Sequence, residues 1–279
     1  MATVNITFNN ETKAYEKPIK ILDIVGDNKD FVCAKVNGRV RELTYSLDSD
    51  CTIEILTNKD EDAKWVYEAS LRFLVAMAMN RLYPNANIRF SYNISRSTYM
   101  EVINKSFVSN GKLVNELEEE MKKIVEEDIP LTRHIVSKDE CEKIHLKKRN
   151  YEKAAILKYR PEKTAHLYTC AEYTNYMYQR MVPSTGYINK WRIRFYHPGV
   201  IIQYPRNDTN GLIPPFEDVP SFGKTLRKAY EWGINVKADT VVNINKHIEQ
   251  NGVVDFINLC EARHNQQIVE LGNLIQDDI

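Results

Sequence analysis

The sequence has no excess of charge of either sign, because 38 lysines and arginines balance 38 aspartates and glutamates. A neutral chain has no global attraction to nucleic acid or to an anionic membrane, so any electrostatic preference must come from local clusters. No apolar run reaches the roughly 20 residues of a membrane-spanning helix, and the start, MATVNITFNN, resembles no signal peptide. These absences predict a cytoplasmic protein that has no membrane partner.

A disulfide framework is also missing. The cysteines are odd in number, widely spaced and without a CxxC motif, which indicates reduced thiols. Cys141 and His145 are four residues apart on a predicted helix and could form half of a metal site. His166 and Cys170 fall in a predicted strand, where they lie about 13 Å apart and cannot bind one ion. We therefore predict no metal site at either pair.

Common catalytic motifs are absent as well. The sequence contains no GxSxG and no GxGxxG, and its Ser, His and Asp residues follow no catalytic spacing. Gly223-Lys224-Thr225 superficially resembles a phosphate-binding loop, but Asp218 stands where that motif needs its first glycine. A proline-rich segment also replaces the preceding apolar strand. The sequence thus predicts no nucleotide cradle.

Residues 1–58 read as a small α/β unit. Short alternating strands surround one short helix after Pro18, and the Asn37-Gly38 dipeptide predicts a tight hairpin. The order of these elements, with the phrase AKVNGRVREL, resembles the TGS domain, a β-grasp (ubiquitin-like) fold that opens threonyl-tRNA synthetases and some nucleoside kinases. The resemblance implies a β-grasp domain at the amino terminus.

Residues 59–205 combine helices and strands. Apolar residues recur at three- and four-residue steps from Ala63, and Pro84 ends this predicted helix. Its tract ASLRFLVAMAMNRLYPNA resembles HSTAHLLAQAVKRLYPDA in the editing region of threonyl-tRNA synthetases. A later tract, NYMYQRMVPSTG, resembles DLCRGPHVPSTG of the same region. We therefore expect an α+β domain like the second additional domain of threonyl- and alanyl-tRNA synthetases.

The resemblance implies that these two tracts correspond to those that hold four zinc ligands in the synthetases. The corresponding positions in this chain hold side chains that are poor ligands or none: Ala69, Phe73, Met177 and Met181. A thioether is a weak, soft acceptor, so a divalent metal is not expected to bind. Two interpretations of the helical row stay open, namely ordinary core packing and an apolar ligand pocket left after the loss of metal.

The segment from residue 176 to residue 206 contains no acid, but it carries several basic and aromatic side chains. Strand alternation predicts that Trp191, Ile193 and Phe195 pack on one face, with every second residue on the other. Basic groups beside aromatic rings suit phosphate and base contacts, although arginines paired to surface acids would give the same pattern. The candidate ligand-binding residues are Arg180, Lys190, Arg192, Arg194 and Tyr196.

Residues 206–279 read as a loop followed by helices. The run from Trp232, including ADTVVNINKHIEQNGVVDFINLC, resembles the connector of bacterial uridine kinases, in which a kinase domain follows TGS and editing-like domains. This resemblance implies a non-catalytic, regulatory module of a nucleoside kinase that binds a nucleotide or RNA-like ligand. ATP and magnesium would then serve a carboxyl-terminal kinase domain in cis. The alternatives are a trans-editing hydrolase, an RNA-binding protein and an oligomerising scaffold.

Overall fold

A computed structural model describes residues 2–103, 109–148 and 150–277. It contains both sheets and helices, which confirms the predicted α+β class. The chain divides into two compact units, one of Met1–Ile135 with His166–Val219 and the other of Val136–Ala165 with Pro220–Ile279. The domain boundaries expected after residues 58 and 205 stay predictions.

The first 57 residues of the first unit form a five-stranded sheet, a strand pair and a short helix. In the sheet the order is β2-β1-β7-β4-β5, and only the central pair β1/β7 is parallel. Asn37 and Gly38 both have positive φ, 48° and 78°, as the hairpin between β4 and β5 requires. The elements are Thr3–Phe8 (β1), Glu11–Glu16 (β2), Ile19–Lys20 (β3), Ile21–Val25 (α1), Phe31–Val36 (β4), Arg39–Arg41 (β5), Ser46–Leu47 (β6) and Cys51–Thr57 (β7).

A long helix, Glu61–Leu82 (α2), forms the centre of the remainder of this unit. It is buried on most of its circumference, because apolar residues occupy nearly all of its sides. The strands Ile88–Ile94 (β8) and Ser97–Val102 (β9) form an antiparallel hairpin, and the helix Gly111–Glu126 (α3) packs against α2. Its stripe of Leu113, Leu117, Met121 and Ile124 is buried, as its periodicity indicates.

Two further sheets complete the strands. The first has the order β10-β11-β12 and comprises Thr132–Ser137 (β10), Thr164–Cys170 (β11) and Tyr173–Tyr176 (β12). The second is antiparallel, with the order β13-β14-β9-β8, and contains Arg192–Tyr196 (β13) and Gly199–Gln203 (β14). The tract NYMYQRMVPSTG therefore covers the end of β12 and the loop that leads towards β13.

The second unit is helical. Ser137 caps its first helix by accepting a hydrogen bond from the Glu140 backbone N–H at 3.2 Å, as the capping pattern predicts. The capping pattern of Ser137 and Glu140 predicts a helix through Arg149; the helix ends at Lys147, and Arg149 lies outside the described residues. No helix in the described ranges is long and apolar enough to cross a membrane. The helices are Lys138–Lys147 (α4), Tyr151–Leu157 (α5), Pro220–Asn235 (α6), Val241–Asn251 (α7) and Val253–Asp277 (α8).

Candidate functional site

The two tracts that carry the synthetase resemblance lie side by side. The backbone N–H of Val182 donates to Ser70 Oγ at 3.0 Å, and Ser70 in turn donates to the Val66 carbonyl one turn earlier in α2. This contact places the position after Ala69 against the position after Met181. The fold therefore brings together the helix and the loop that would supply the four ligands.

The four ligand positions themselves are apolar and packed. Ala69, Phe73 and Met181 are buried, and Met177 packs against the same core while half-buried. The Phe73 ring meets Tyr173 edge-on with centroids 5.1 Å apart. These contacts fit the core-packing interpretation. A cavity of about 470 Å³ lies elsewhere, over the amino-terminal sheet beside Phe8 and Phe31.

A metal does not fit this donor set. Alanine and phenylalanine offer no lone pair, and neither thioether can replace a thiolate or imidazole for zinc. Across the parts of the chain that the structure describes, no three His, Cys, Asp or Glu residues lie close enough together to hold an ion. No step of any reaction is therefore assigned to a metal here.

The Ser184-Thr185-Gly186 end of the loop is held by hydrogen bonds. Ser184 Oγ and the Gly186 N–H both donate to Asp128 Oδ1, the latter at 3.0 Å. Thr185 Oγ1 donates to the Ile124 carbonyl at 2.6 Å and accepts from the Ile129 N–H at 2.9 Å. A methyl group on Gly186 would lie 2.7 Å from the Asp128 carboxyl carbon, so an alanine would fit only if that carboxylate moved. These three residues fasten the loop to the end of α3.

The same carboxylate joins the loop to the amino-terminal segment. Lys29 Nζ lies 2.7 Å from Asp128 Oδ2 and 3.1 Å from Asp27 Oδ1, and the Tyr187 hydroxyl donates to Asp27 at 2.5 Å. Burial acts to raise the pKa of Asp128, but the hydrogen bonds from Lys29, Ser184 and Gly186 outweigh it and leave that pKa below its ordinary value. The Tyr187 hydrogen bond, followed by that of Lys29, lowers the pKa of Asp27.

A buried carboxylate, Glu42, contacts the loop that contains Met181 directly. Its Oε1 accepts hydrogen bonds from the Tyr168 hydroxyl and, at 3.2 Å, from the Met181 backbone N–H. Its Oε2 lies 4.0 Å from Arg133 Nη1. Burial raises the pKa of Tyr168 and the Glu42 carboxylate raises it further, while Arg133 and Arg180 oppose this. A polar network therefore surrounds Met181, one of the four positions that correspond to zinc ligands in the synthetases.

Arg133 and Arg180 stand at the margin of this network. Arg133 Nη2 lies 3.0 Å from Nε2 and 3.1 Å from Nδ1 of His166, and the buried Arg133 Nε has no hydrogen-bond partner among the described residues. Arg180 is half-buried and its charge acts on both Tyr168 and Cys33. The Arg133 guanidinium thus lies between the buried Glu42 carboxylate and the His166 imidazole.

The other candidate residues lie apart from this network. Arg194 lies over the Phe216 ring at 4.4 Å, and Tyr196 contacts the same ring and donates to Asp218 at 3.0 Å, so both occupy one face of β13. Arg192 is exposed opposite Gln203. Lys190 pairs with Asp30 at 3.1 Å.

On the opposite face of β13, Trp191 and Ile193 pack against the core as predicted. The prediction is wrong for Phe195, which is 42% exposed.

Sequence reasoning missed the acids and bases that organise the loop. Glu42, Asp128 and Lys29 contact residues between 56 and 139 positions away in the chain, so no local spacing marks them. One signal was present, because Glu42 belongs to the phrase AKVNGRVREL that carries the TGS resemblance.

Comparison with known proteins gives a consistent set of relatives. No model of a protein family matches the sequence. The chain is 31% identical to a threonine–tRNA ligase of Listeria monocytogenes over 214 residues, which are 74% of this chain and 33% of that protein. It is 27% identical to the threonine–tRNA ligase of Symbiobacterium thermophilum over 69% of this chain and 30% of that protein. The chain thus spans about a third of the length of the curated relatives it matches.

These relatives correct the kinase hypothesis. The prediction that the chain is a regulatory module of a uridine or nucleoside kinase is contradicted, because the proteins that match over about 70% of its length are threonine–tRNA ligases. The transferase assignment is contradicted with it. The alternative predicted from the sequence, a threonyl-tRNA synthetase-related editing or RNA-binding protein, agrees better with these relatives.

Proposed function

We propose that this chain is an RNA-binding protein related to threonyl-tRNA synthetases, and that its ligand is a tRNA. In this proposal residues 1–58 form a TGS domain with a β-grasp fold, and the following α+β region is a synthetase editing-like domain that works without metal. Binding requires no cofactor, since the interaction rests on charge, stacking and hydrogen bonds.

The observation that carries the proposal is the similarity to threonine–tRNA ligases over about 70% of the chain, in which α2 and the loop are in contact. Proteins of that name act on tRNA. The absence of acids between residues 176 and 206 supports the proposal, because it gives this segment a positive charge although the whole chain is neutral. Cationic and aromatic side chains on one surface are the groups that contact RNA phosphates and bases.

Arg192 and Arg194 are the side chains best placed for such contacts. Both are exposed on β13, and the Arg194 guanidinium lies over the Phe216 ring at 4.4 Å from its centroid, a contact that orients it. A guanidinium can donate two parallel hydrogen bonds to a phosphate. Arg180 could bind a second phosphate or the terminal ribose at the margin of the Glu42 network.

Fluorescence anisotropy with a labelled tRNA tests the proposal. The Arg192→Ala/Arg194→Ala variant should bind more weakly. The slope of its log affinity against log salt concentration should be smaller by roughly 1 to 2, since each phosphate contact contributes about 0.9. Lys112→Ala/Lys122→Ala is the matched control, because both lysines are exposed on α3 and pair with Glu116 and Glu118. Identical tRNA affinity of the wild type and the β13 variant would remove these arginines from the site. Failure of the wild type to bind any tRNA would refute the function.

The second candidate function is hydrolysis of misacylated tRNA. The observation in its favour is the group of Glu42, Arg133, His166 and Tyr168 beside the Met181 N–H. A hydrolase needs a group that positions or deprotonates water, and His166 is the half-buried imidazole of this group. Release of the amino acid from a mischarged tRNA by the wild type, with loss in His166→Ala, would establish it. Equal slow release with and without the protein would dismiss it.

A further inference from the structure

The helix α8 of the second unit exposes many aliphatic side chains. One of its sides faces α7, where His247 Nε2 lies 2.9 Å from Asp255 Oδ2 and the His247 ring meets Phe256 edge-on. Eight aliphatic side chains on the rest of its surface are between 47% and 65% exposed. They are Val253, Val254, Ile257, Ile268, Val269, Leu271, Leu274 and Ile275. A single exposed leucine is ordinary in a folded protein, but so many on one helix indicate a surface that another molecule covers.

Most of these side chains follow a seven-residue repeat. Steps of three and four residues alternate along one row of α8. The row contains Val254, Ile257, Glu261, His264, Ile268, Leu271 and Ile275. At about 3.6 residues per turn, it lies on the other side of the helix from Phe256, Leu259 and Arg263, which are half-buried. A strict seven-residue repeat on an exposed face is the pattern by which two helices pack along their length.

The row reads nearly the same in both directions, because aliphatic residues stand on either side of Glu261 and His264. A second copy of the helix can run antiparallel with its His264 opposite Glu261. Ile257 then lies opposite Ile268 of that copy, and the first valine of the row lies opposite its Leu271. A twofold axis between the helices repeats each of these contacts. The row is thus complementary to itself in one particular register.

The two polar residues of the row favour the antiparallel orientation. In a parallel pair, Glu261 would lie beside Glu261 of the second copy, and like charges repel. In the antiparallel pair, the Glu261 carboxylate lies opposite the His264 imidazole, whose N–H can donate to it. A polar contact within an apolar seam fixes the register of two helices. The positions that flank the row carry no charge and add no repulsion. They are Val253, Asn258, Cys260, Asn265, Gln267, Gly272 and Leu274.

The area of this contact predicts a reversible dimer. Val253 and Leu274 of the two copies lie on the same flank and extend the apolar seam. Burying the exposed part of six aliphatic side chains on each copy would remove roughly 400–800 Å² of apolar surface. Apolar atoms form about 65% of a homodimer interface, so the whole interface would cover roughly 600–1,200 Å². Interfaces below about 1,200 Å² belong to weak complexes, and we therefore expect a dissociation constant in the micromolar range.

We propose that a second copy of this chain binds to α8, with the two helices antiparallel and Glu261 of each opposite His264 of the other. The inference goes beyond tRNA binding and uses none of the residues proposed for it. A parallel pair and a lipid surface are the alternatives that the experiment separates.

Sedimentation equilibrium of the full chain at roughly 1–300 μM tests the inference, since a micromolar dimer dissociates within this range. Ile268→Asp should raise the dissociation constant by roughly 100-fold, because it places an unpaired charge in the seam opposite Ile257. Val269→Asp is the matched control, since Val269 is 61% exposed on the same helix but lies outside the row. It should change the dissociation constant by less than about 3-fold.

An exchange of charges tests the orientation. Glu261→Lys should weaken the dimer by roughly 2- to 30-fold, because it sets a cation opposite His264 at two symmetric places. Glu261→Lys/His264→Glu should restore the affinity, since each lysine then lies opposite a glutamate. In a parallel pair, both variants would keep like charges together, so the second substitution would restore nothing.

Several results would overturn the inference. One is a wild type that stays monomeric over the whole concentration range, and binding of that monomer to phosphatidylcholine vesicles would assign the row to lipid. Another is a dimer that Ile268→Asp and Val269→Asp weaken equally, and a third is an exchange of charges that restores nothing. Failure to bind tRNA with dimerisation intact would overturn only the proposed function. Circular dichroism should show equal helicity in Ile268→Asp and Val269→Asp, since the same substitution is made at adjacent exposed positions.

Discussion

Gly186→Ala tests how the candidate ligand loop is fastened to the rest of the first unit. The added methyl group would lie 2.7 Å from the carboxyl carbon of Asp128, closer than carbon atoms approach in folded proteins. Gly186 does not have a positive φ, so alanine is compatible with the backbone itself. Any loss of stability should therefore come from this single contact.

The expected magnitude follows from what Asp128 must release. To make room, its carboxylate must move away from Lys29 Nζ at 2.7 Å, the Gly186 N–H at 3.0 Å and the Ser184 hydroxyl. Hydrogen bonds to charged groups contribute about 1.5–3 kcal/mol each when buried, but the Asp128 side chain is 42% exposed and solvent reduces this. With the strain of overpacking, we expect the free energy of unfolding to fall by about 2–4 kcal/mol.

Urea unfolding followed by tryptophan fluorescence measures this effect. Trp232→Phe should be the common background, since it leaves Trp65 and Trp191, both in the first unit, as reporters. Adding Asp128→Ala completes a double-mutant cycle. Without the carboxylate, Gly186→Ala should cost less than about 1 kcal/mol, which gives a coupling of about 1–3 kcal/mol.

Gly111→Ala provides the control, because a methyl group there would meet no atom within 4 Å. It should change the free energy of unfolding by less than about 0.5 kcal/mol. If Gly186→Ala were equally costly with and without the Asp128 carboxylate, the two residues would not be in contact and the fastening of the loop by Asp128 would be refuted.

Three further results are expected. Glu42→Ala should lower the free energy of unfolding of the first unit, measured in urea, by about 2–4 kcal/mol, because it leaves the Tyr168 hydroxyl and the Met181 N–H without an acceptor. Glu42→Gln should cost less, because it keeps an acceptor oxygen. Equal costs of the two variants would exclude a role for that oxygen. Burial, followed by Lys153 and Lys148, lowers the pKa of His145 from 6.5 to about 4. The unfolded chain therefore binds more protons than the folded chain between these pH values, and the free energy of unfolding of the second unit should fall by about 3 kcal/mol as the pH is lowered from 7 to 4. An imidazole that titrates near pH 6.5 by NMR would contradict this. Asp128 has a lowered pKa in the folded state, so its contribution is present above about pH 4 and disappears as pH falls through the folded value. In urea unfolding the wild type should therefore be more stable than Asp128→Asn above about pH 4 and should lose this advantage as the pH falls further; a difference that stays constant with pH would contradict this.

Local signals in the sequence predict the elements that depend on neighbouring residues. The three- and four-residue spacing of apolar side chains before Pro84 predicts α2, and Asn37-Gly38 predicts a turn in which both residues have positive φ. Ser137 predicts the start of α4. In each case the physical cause acts within a few residues of the chain, so a pattern of that length contains it.

Long-range contacts leave no such pattern. The hydrogen bond between Tyr168 and Glu42 joins residues 126 positions apart, and it depends on how two sheets come together. The sequence predicts that Arg194 can contact a phosphate, but it does not predict that Arg194 lies over the ring of Phe216, which belongs to a segment predicted only as a loop. At seven residues, α5 is too short for apolar periodicity to identify it.

The residues of the VPSTG tract therefore serve the fold and not necessarily a reaction. Ser184, Thr185 and Gly186 fix the loop through Asp128 and the end of α3, two of them by their hydroxyl groups and Gly186 by its N–H and its lack of a side chain. Met177 and Met181, in contrast, occupy positions that packing alone can satisfy. The VPSTG tract, which carries part of the resemblance to threonyl-tRNA synthetases, thus accounts for how the loop is held, whereas any chemistry has to be sought in side chains such as Glu42 and Arg133 that no motif marks.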